Sequence, residues 1–325
     1  MKQPLVSILV PVYRVEDYIE RCARSLFEQT YGQIEYIFVD DCTPDASILI
    51  LKRVMADYPQ RAENVRIINH EKNLGLATAR NTLVEYCQGE FLSHVDSDDW
   101  LEPNAIELLV NKQQETGADI VTGRNQTHCK IRIIPARNAG TGMDKWQLTE
   151  SLMIHQYTSV LWARLIRTRL YTDHHIKADS RGNIGEEFQV FPRLLYYAHS
   201  IAFLDEIIYH YTCENPYSYS HSFLVNIGSQ LQYLLAHQIV SAFFSDKVLD
   251  YSRRCDQTAV IYAYQFLKEW VKRGNRKGYE AMRGLLKESY HQYYSTIKWN
   301  QWPRRVLFNN FVILRFCLFV KDIVR

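Results

Sequence analysis

The chain has 325 residues, 47% of them apolar and 23% charged, with a formal net charge of +2. These are globular proportions, and they exclude a wholly disordered, collagen-like or low-complexity chain. The length suits two modest domains, or one domain with an extension.

No window of 18 or more uncharged apolar residues marks a spanning helix. Met1-Lys2-Gln3-Pro4 runs straight into a strand-like segment, which leaves no room for a signal peptide and predicts a cytoplasmic protein. The cysteines Cys22, Cys42, Cys87, Cys129, Cys213, Cys255 and Cys317 are scattered, odd in number and without a C-x-x-C pair. They read as reduced, mostly buried thiols rather than as a disulfide framework or zinc knuckle. Charge is uneven: residues 251–325 hold 15 Lys+Arg against 5 Asp+Glu, a net of +10, so residues 1–250 carry −8. The basic end suits a polyanionic surface such as an anionic membrane leaflet, while the acidic remainder argues against a nucleic-acid partner.

In chain order, Leu5–Val10 is a short β-branched run closed by Pro11. Glu16–Glu28 has helical spacing, with Tyr18, Ile19, Cys22, Leu26 and Phe27 on one side. Glu35–Val39 reads as a second strand ending in Asp40-Asp41, Asp45–Tyr58 as a helix and Val65–Ile68 as a third strand. Leu76–Cys87 reads as a helix, and Phe91–Val95 as a strand running into Asp96-Ser97-Asp98-Asp99. Pro103–Thr116 follows as a helix with proline in its first turn. Short apolar strands alternating with amphipathic helices predict an α/β fold with a mostly parallel sheet covered on both faces. After about residue 123 the pattern weakens. Trp146–His155 looks helical and Val160–Ile166 strand-like. Glu186 opens a helix to about Tyr197, and Ile201–Leu204 and Ile207–Tyr211 read as two strands. Helical patterns then cover roughly 223–245, 256–273, 277–296 and 304–322. The expected division is 1–222 as the α/β domain, itself halved near 125, and 223–325 as a helical extension.

Acidic groups at the carboxyl ends of two strands mark the ligand edge of an open α/β sheet. Three carboxylates within Asp96–Asp99 repel one another, and a tight turn tolerates them best around a hard divalent cation such as Mg²⁺ or Mn²⁺. Asp40 and Asp41 can hydrogen-bond the imide edge of uracil or a ribose hydroxyl, or cap the next helix. In Asn73-Leu74-Gly75-Leu76-Ala77-Thr78-Ala79-Arg80-Asn81, Gly75 permits a tight turn into a helix whose N-terminus favours anions. Arg80 can pair with a phosphate or a site carboxylate. There is no G-x-x-x-x-G-K-[ST] and no G-x-G-x-x-G after the first strand, so ATPase and dinucleotide-oxidoreductase readings lack support.

Together these segments resemble the family 2 glycosyltransferases, which have the GT-A fold and invert at the anomeric carbon. The matching residues are Val6–Tyr13, Glu16-x-Tyr18-Ile19-x-x-Cys22-x-x-Ser25-Leu26-x-x-Gln29-Thr30-Tyr31 and Glu35–Asp41. They continue through Asn73-Leu74-Gly75-x-x-x-Ala79-Arg80-Asn81, Gly89-Glu90-Phe91 and Asp96-Ser97-Asp98-Asp99-Trp100. The resemblance is dense over 4–125, sparse to about 220, and carries no family motif in 225–325. It implies a nucleotide-sugar donor, usually a UDP-sugar, flanked by Pro11 and Tyr13. Asp41 or Asp40 would contact uracil, with Arg80 near the pyrophosphate or donor sugar. Asp96 and Asp98 are the D-x-D pair, with Asp98 or Asp99 touching the divalent cation. Two positions depart from the family pattern: Arg14 stands where Asn is common, and Cys42 where Gly is usual.

Inversion needs a general base behind the anomeric carbon. The family places it in a Gly-Glu-Asp segment opening a helix; here the segment is Gly185-Glu186-Glu187-Phe188. Glu187 is the implied base and Glu186 the alternative, with Asp179 and Asp173 behind them. Ile207–Tyr211 and Asn215–Ser220 resemble the post-catalytic strand and loop, where His210 or His221 would approach the diphosphate. The resemblance implies a hexosyl- or N-acetylhexosaminyl-transferase acting on a glycan or lipid-linked acceptor in cell-surface polysaccharide or lipopolysaccharide synthesis. Residues 304–322, with Trp302, Arg304 and Arg305 before them, suit a helix lying in a membrane interface. Two other readings remain at this stage: a catalytically inactive sugar-nucleotide-binding scaffold, and a sugar-1-phosphate nucleotidyltransferase. The latter lacks its Gly-rich N-terminal phosphate loop.

Overall fold

A computed structural model describes residues 3–129, 132–134, 142–218 and 226–289. The chain divides into two units, Met1–Leu152 with Tyr157–His221, and Met153–Gln156 with Ser222–Arg325. Unlike the expected single cut, Met153–Gln156 joins the helical unit. The expected inner boundary near residue 125 falls inside a strand.

The first unit is built on β1 (Val6–Val12), β2 (Ile34–Asp40), β3 (Val65–Asn69), β4 (Phe91–His94), β5 (Trp100–Leu101), β6 (Ile120–Cys129), β7 (Arg132–Ile134), β8 (Arg164–Arg167) and β9 (Ile201–Thr212). They form one sheet in the order β3-β2-β1-β4-β8-β6-β9-β5, with β7 paired to β6. β3, β2, β1 and β4 are mutually parallel. β8 is antiparallel to β4 and β6, β6 is parallel to β9, and β9 is antiparallel to β5. The sheet is therefore mixed rather than mostly parallel, and the parallel half is the part the sequence pattern displays.

Every residue of β1 is buried, as a parallel strand covered on both faces requires. Pro11 lies inside this strand rather than closing it. Pairing with β4 stops at Leu9↔His94, so the missing N–H of Pro11 leaves no ladder bond unmade. Helices α1 (Ile19–Phe27), α2 (Ser47–Asp57), α3 (Pro59–Ala62), α4 (Leu76–Tyr86), α5 (Ala105–Thr116), α6 (Lys145–Met153), α7 (Arg169–Thr172) and α8 (Glu186–Tyr197) fill the connections. α1, α2 and α5 bury Leu26, Leu51 and Leu109 in one core with Ile8, Val10 and Phe38. α4 packs on β1 and β2, and α8 sets Phe191 against Arg164 of β8.

β9 is continuous where two strands were expected. The exposed Asp205-Glu206 interrupts the apolar pattern but not the pairing, which continues past register shifts between Thr122 and Asn125. The same register brings His128 opposite Thr212, and Cys129 beside Cys213 with a Cα–Cα distance of 5.3 Å. These two cysteines form a disulfide, which corrects the reading of all seven as reduced thiols. Their spacing of 84 residues hides a contact that only the β6–β9 pairing creates.

The second unit contains α9 (Ile227–Phe244), α10 (Leu249–Lys272) and α11 (Arg276–Ser289). Asn226 caps α9 by accepting from the Gly228 and Ser229 N–H groups. Leu234, Ala259, Ala263, Phe266, Leu267 and Trp270 form its core, and the Trp270 indole N–H donates to Gln230 Oε1 at 2.7 Å. Among the described residues no helix is long and apolar enough to cross a membrane. The expected helix at 304–322, Trp302 and His221 lie outside the described residues.

Candidate active site

The register Val12↔Asp40 sets the ends of β1 and β2 side by side, and Val95 N–H bonds Leu9 O as β4 leaves the sheet. Pro11, Tyr13, Asp40, Asp41 and the turn Asp96–Asp99 therefore share the carboxyl edge of the parallel half, where such sheets bind ligands. Tyr13 is 36% exposed, and the Arg14 guanidinium lies 5.4 Å from its ring and 5.5 Å from that of Tyr217. Arg14 and Cys42 both sit in the left-handed region, with φ of 54° and 56°. Asn and Gly are the residues that region tolerates best, which accounts physically for the pattern from which this chain departs.

Both carboxylate oxygens of Asp41 are engaged within the protein. Its Oδ1 accepts from Leu74 N–H at 2.8 Å and meets His70 Nδ1 at 2.7 Å, while Oδ2 accepts from Gly75 N–H at 2.8 Å. Asp41 thus fastens the turn that leads into α4. Asp40 accepts from Thr43 N–H through Oδ1, and its Oδ2 has no hydrogen bond among the described residues. Gly75 has φ of 87°, and a Cβ there would lie 2.4 Å from Asn183 Nδ2. Asn183 itself accepts from Ala77 N–H at 3.1 Å. The N-terminus of α4, expected to cradle an anion, is closed by Asp41 and Asn183 instead.

Arg80, one turn into α4, joins the two halves of the site. Its Nη2 lies 2.8 Å from Asp96 Oδ1 and 3.4 Å from Glu187 Oε1, and its Nε lies 3.4 Å from Glu186 Oε1. Burial works against the cation, and Asp96, Glu187 and Glu186 together overcome it and raise its pKa. Arg80 Nη1 is buried with no hydrogen-bond partner among the described residues. Gly185, with φ of 79°, turns the chain into α8 and puts both glutamates in its first turn. Burial pushes Glu186 up to about 8, with Glu187 adding to the rise and Arg80 opposing it. Burial raises Glu187 too, and Arg80 holds it back. Glu187 is the more open, its side chain 20% exposed against 7% for Glu186. Its Oε1 accepts from Leu161 N–H at 2.9 Å, and its Oε2 has no hydrogen bond among the described residues.

In the acidic turn the three carboxylates differ. Asp96 has 25% side-chain exposure and faces Arg80. Asp98 accepts from Asn215 Nδ2 at 2.9 Å, and burial followed by the Asp96 charge pushes it up to about 6. Asp99 is fully buried: Oδ2 accepts from Tyr209 O–H at 2.7 Å and Oδ1 from Thr212 N–H at 2.6 Å. Asp96 and Asp98 fit a hard divalent cation, because Asp98 carries a desolvated charge for which such an ion would compensate. Two carboxylates also leave coordination positions for phosphate oxygens. Among the described residues no three His, Cys, Asp or Glu side chains converge as a self-sufficient metal site.

The profile of Glycosyl transferase family 2 matches residues 7–155, which include the strand ends, Arg80 and the acidic turn. That segment matches a family 2 glycosyltransferase domain, and the chain is a glycosyltransferase. Among its relatives, EpsH of Bacillus subtilis (strain 168), a glycosyltransferase by name, is 28% identical over 300 residues, covering 88% of this chain and 83% of EpsH. Chondroitin synthase of Escherichia coli is 40% identical over 109 residues, covering 34% of this chain and 15% of the synthase. Among solved structures, S. aureus TarS has a TM-score of 0.61 at 18% identity, covering 94% of this chain and 48% of TarS. Residues 1–349 of TarS in complex with UDP-GlcNAc give 0.55 at 19% identity, covering 89% and 92%. Mannosyltransferase PcManGT of Pyrobaculum calidifontis, in complex with GDP-Man and Mn²⁺, gives 0.55 at 13% identity, covering 91% and 84%. At these identities the structures establish the shared fold, GT-A.

Other polar groups of this glycosyltransferase lie away from the places the sequence suggested. His210 Nε2 pairs with Glu102 Oε1 at 2.7 Å, its ring stacks on Trp100, and His128 meets its Nδ1 at 2.9 Å. It is tied into the sheet rather than aimed at a diphosphate. Asp179 forms an ion pair with Arg181. His70, Asn183, Asn215 and Tyr209 hold site segments in place. Tyr209 and Asn215 lie in the segments that resemble the post-catalytic strand and loop, whereas His70 and Asn183 had no sequence signal.

Proposed function

We propose that this glycosyltransferase inverts the anomeric centre, moving a sugar from a UDP-sugar to a hydroxyl of a glycan or lipid-linked acceptor during cell-surface polysaccharide synthesis. The observation that carries the reading is the Arg80 junction, which sets the D-x-D carboxylate Asp96 and the base candidate Glu187 against one guanidinium. A single displacement needs groups that receive the leaving diphosphate and a proton acceptor behind the reacting carbon, and this cluster supplies both kinds of group.

In this reading Glu187 Oε2 takes the proton of the acceptor hydroxyl as its oxygen bonds the anomeric carbon and the bond to the diphosphate oxygen breaks. The raised pKa of Glu187 makes it a stronger base than an exposed carboxylate. Arg80 Nη1 donates to the diphosphate, and Tyr13, Pro11 and Asp40 Oδ2 frame the uracil. Asp96 and Asp98 would hold Mn²⁺ or Mg²⁺, whose chemistry is to neutralise charge on the leaving diphosphate. Asp99, first grouped with those ligands, is assigned as an anchor because both its oxygens are engaged. The UDP-GlcNAc and Mn²⁺ complexes of the structural neighbours support the donor and cation classes. The +10 charge of residues 251–325 supports peripheral contact with the cytoplasmic face of a membrane.

A thermal-shift screen of UDP-, GDP- and CMP-sugars, with and without Mn²⁺, tests the donor class. Stabilisation grows as ln(1 + [L]/Kd) for a ligand of the native state. One UDP-sugar should stabilise the protein only with the metal, and not in Asp98→Ala. A GDP- or CMP-sugar acting instead would overturn the uridine assignment.

A further inference from the structure

We propose that Tyr209 is the positioning residue of the acidic turn, holding Asp96 and Asp98 in the arrangement that receives the divalent cation. The proposal rests on the cation reading above. Tyr209 is fully buried in β9, paired on one side with Asn125 of β6 and on the other with Leu101 of β5. Its ring stacks on Trp162, with centroids 4.5 Å apart and planes 13° from parallel. Strand pairing and stacking together fix where the phenol oxygen lies.

That oxygen bonds both ends of the turn. Its O–H donates to Asp99 Oδ2 at 2.7 Å, and it accepts from Asp96 N–H at 3.1 Å. A hydroxyl can do both at once, and a phenylalanine ring neither. The turn is thus closed through a side chain: Asp96 N–H to Tyr209 oxygen, Tyr209 O–H to Asp99. Thr212 N–H, at 2.6 Å from Asp99 Oδ1, adds a second bond from the same strand. The residue between the anchored ends that carries a carboxylate is Asp98. Its backbone O accepts from Arg21 Nη2 at 3.1 Å, and the same Nη2 donates to Thr212 Oγ1 at 2.8 Å. Removing the phenol O–H leaves the part-buried Asp96 N–H and the fully buried Asp99 Oδ2 without that partner, and the turn must shift to find others. Groups one step behind a metal ligand typically change metal affinity by 10–100-fold when removed.

The test compares wild type, Tyr209→Phe, Trp162→Phe and Asp98→Ala, each titrated with Mn²⁺ and followed by electron paramagnetic resonance of the free ion. Circular dichroism and a melting curve run alongside. Tyr209→Phe should keep its circular dichroism, bind Mn²⁺ at least tenfold more weakly than wild type, and recover UDP binding at raised Mn²⁺. Trp162→Phe disturbs the stack but keeps the phenol; its melting temperature should fall while its Mn²⁺ affinity stays within twofold of wild type. A merely structural role would make the two variants lose Mn²⁺ affinity in proportion to their loss in melting temperature, which overturns the proposal. Wild-type affinity in Tyr209→Phe, with loss in Asp98→Ala, overturns the role of Tyr209 and leaves the cation site standing. Equal binding by wild type and Asp98→Ala overturns the cation reading itself.

Discussion

Replacing Arg80 by methionine removes the cation that faces Asp96, Glu186 and Glu187 at 2.8, 3.4 and 3.4 Å while keeping much of the side-chain volume. At an effective dielectric of about 20, each 3.4 Å pair of full charges interacts by roughly 5 kcal/mol before desolvation is counted. The net loss on breaking a buried pair is smaller, about 3–5 kcal/mol. The loss must depend on pH. Glu186 and Glu187 have folded-state pKa values above that of an exposed carboxylate, so the stability they contribute is complete below the unfolded value of about 4.3. It is lost as pH rises toward the folded value, about 8 for Glu186. Without Arg80 both values move higher still, so the variant goes on losing stability above the pH at which each wild-type group has already ionised: from the lower Glu187 value upward, and for Glu186 above about pH 8. Urea unfolding of both proteins, followed by tryptophan fluorescence from pH 4.5 to 8.5, measures this. The expected difference is about 1 kcal/mol at pH 4.5, growing to about 3–5 kcal/mol at pH 8. A difference that stays flat across that range, or is under about 1 kcal/mol at pH 8, refutes Arg80 as the charge junction.

Further outcomes follow from other residues. Cys42→Gly relieves a left-handed non-glycine position worth about 1–2 kcal/mol and gives back about 0.5–1 kcal/mol in unfolded-chain entropy. It should raise stability by up to about 1 kcal/mol; a loss would show that Cys42 makes contacts that outweigh the strain. Cys129→Ser opens a link spanning 84 residues and should destabilise the oxidised protein by about 2–4 kcal/mol in urea titrations. The same variant should match wild type in excess dithiothreitol, and a difference that persists there contradicts the disulfide.

The parallel half of the fold was legible because β1, β2 and β4 are almost wholly buried and read as apolar runs, with acidic residues at the ends of β2 and β4. The antiparallel half was less so. β8 is only four residues, Arg164–Arg167, and carries arginine at both ends; β9 crosses the exposed Asp205-Glu206 without breaking. Motif spacing found Arg80, Asp96, Asp98 and Glu187 as separate candidates. It could not show that Arg80 spans them, because Glu187 is 107 residues away and arrives through the packing of α8. Nor does residue type reveal which carboxylates are already occupied. Asp41 and Asp99 look like ligand groups in the sequence, yet groups distant in the chain engage their oxygens: Leu74 N–H, Gly75 N–H and His70 for Asp41, and Tyr209 O–H and Thr212 N–H of β9 for Asp99. Tyr209 illustrates the opposite case: its segment resembles the post-catalytic strand, yet nothing in the run Tyr209-His210-Tyr211 marks which hydroxyl is aimed at the turn.

The most direct test of the central claim compares wild type with Glu187→Gln in UDP binding and in UDP release from the donor found by the screen, both with Mn²⁺. Glutamine keeps the size and the bond from Leu161 N–H but cannot take a proton. If Glu187 is the base, the variant should bind UDP as wild type does and turn over about 100- to 10,000-fold more slowly. Turnover within a few-fold of wild type would contradict that assignment.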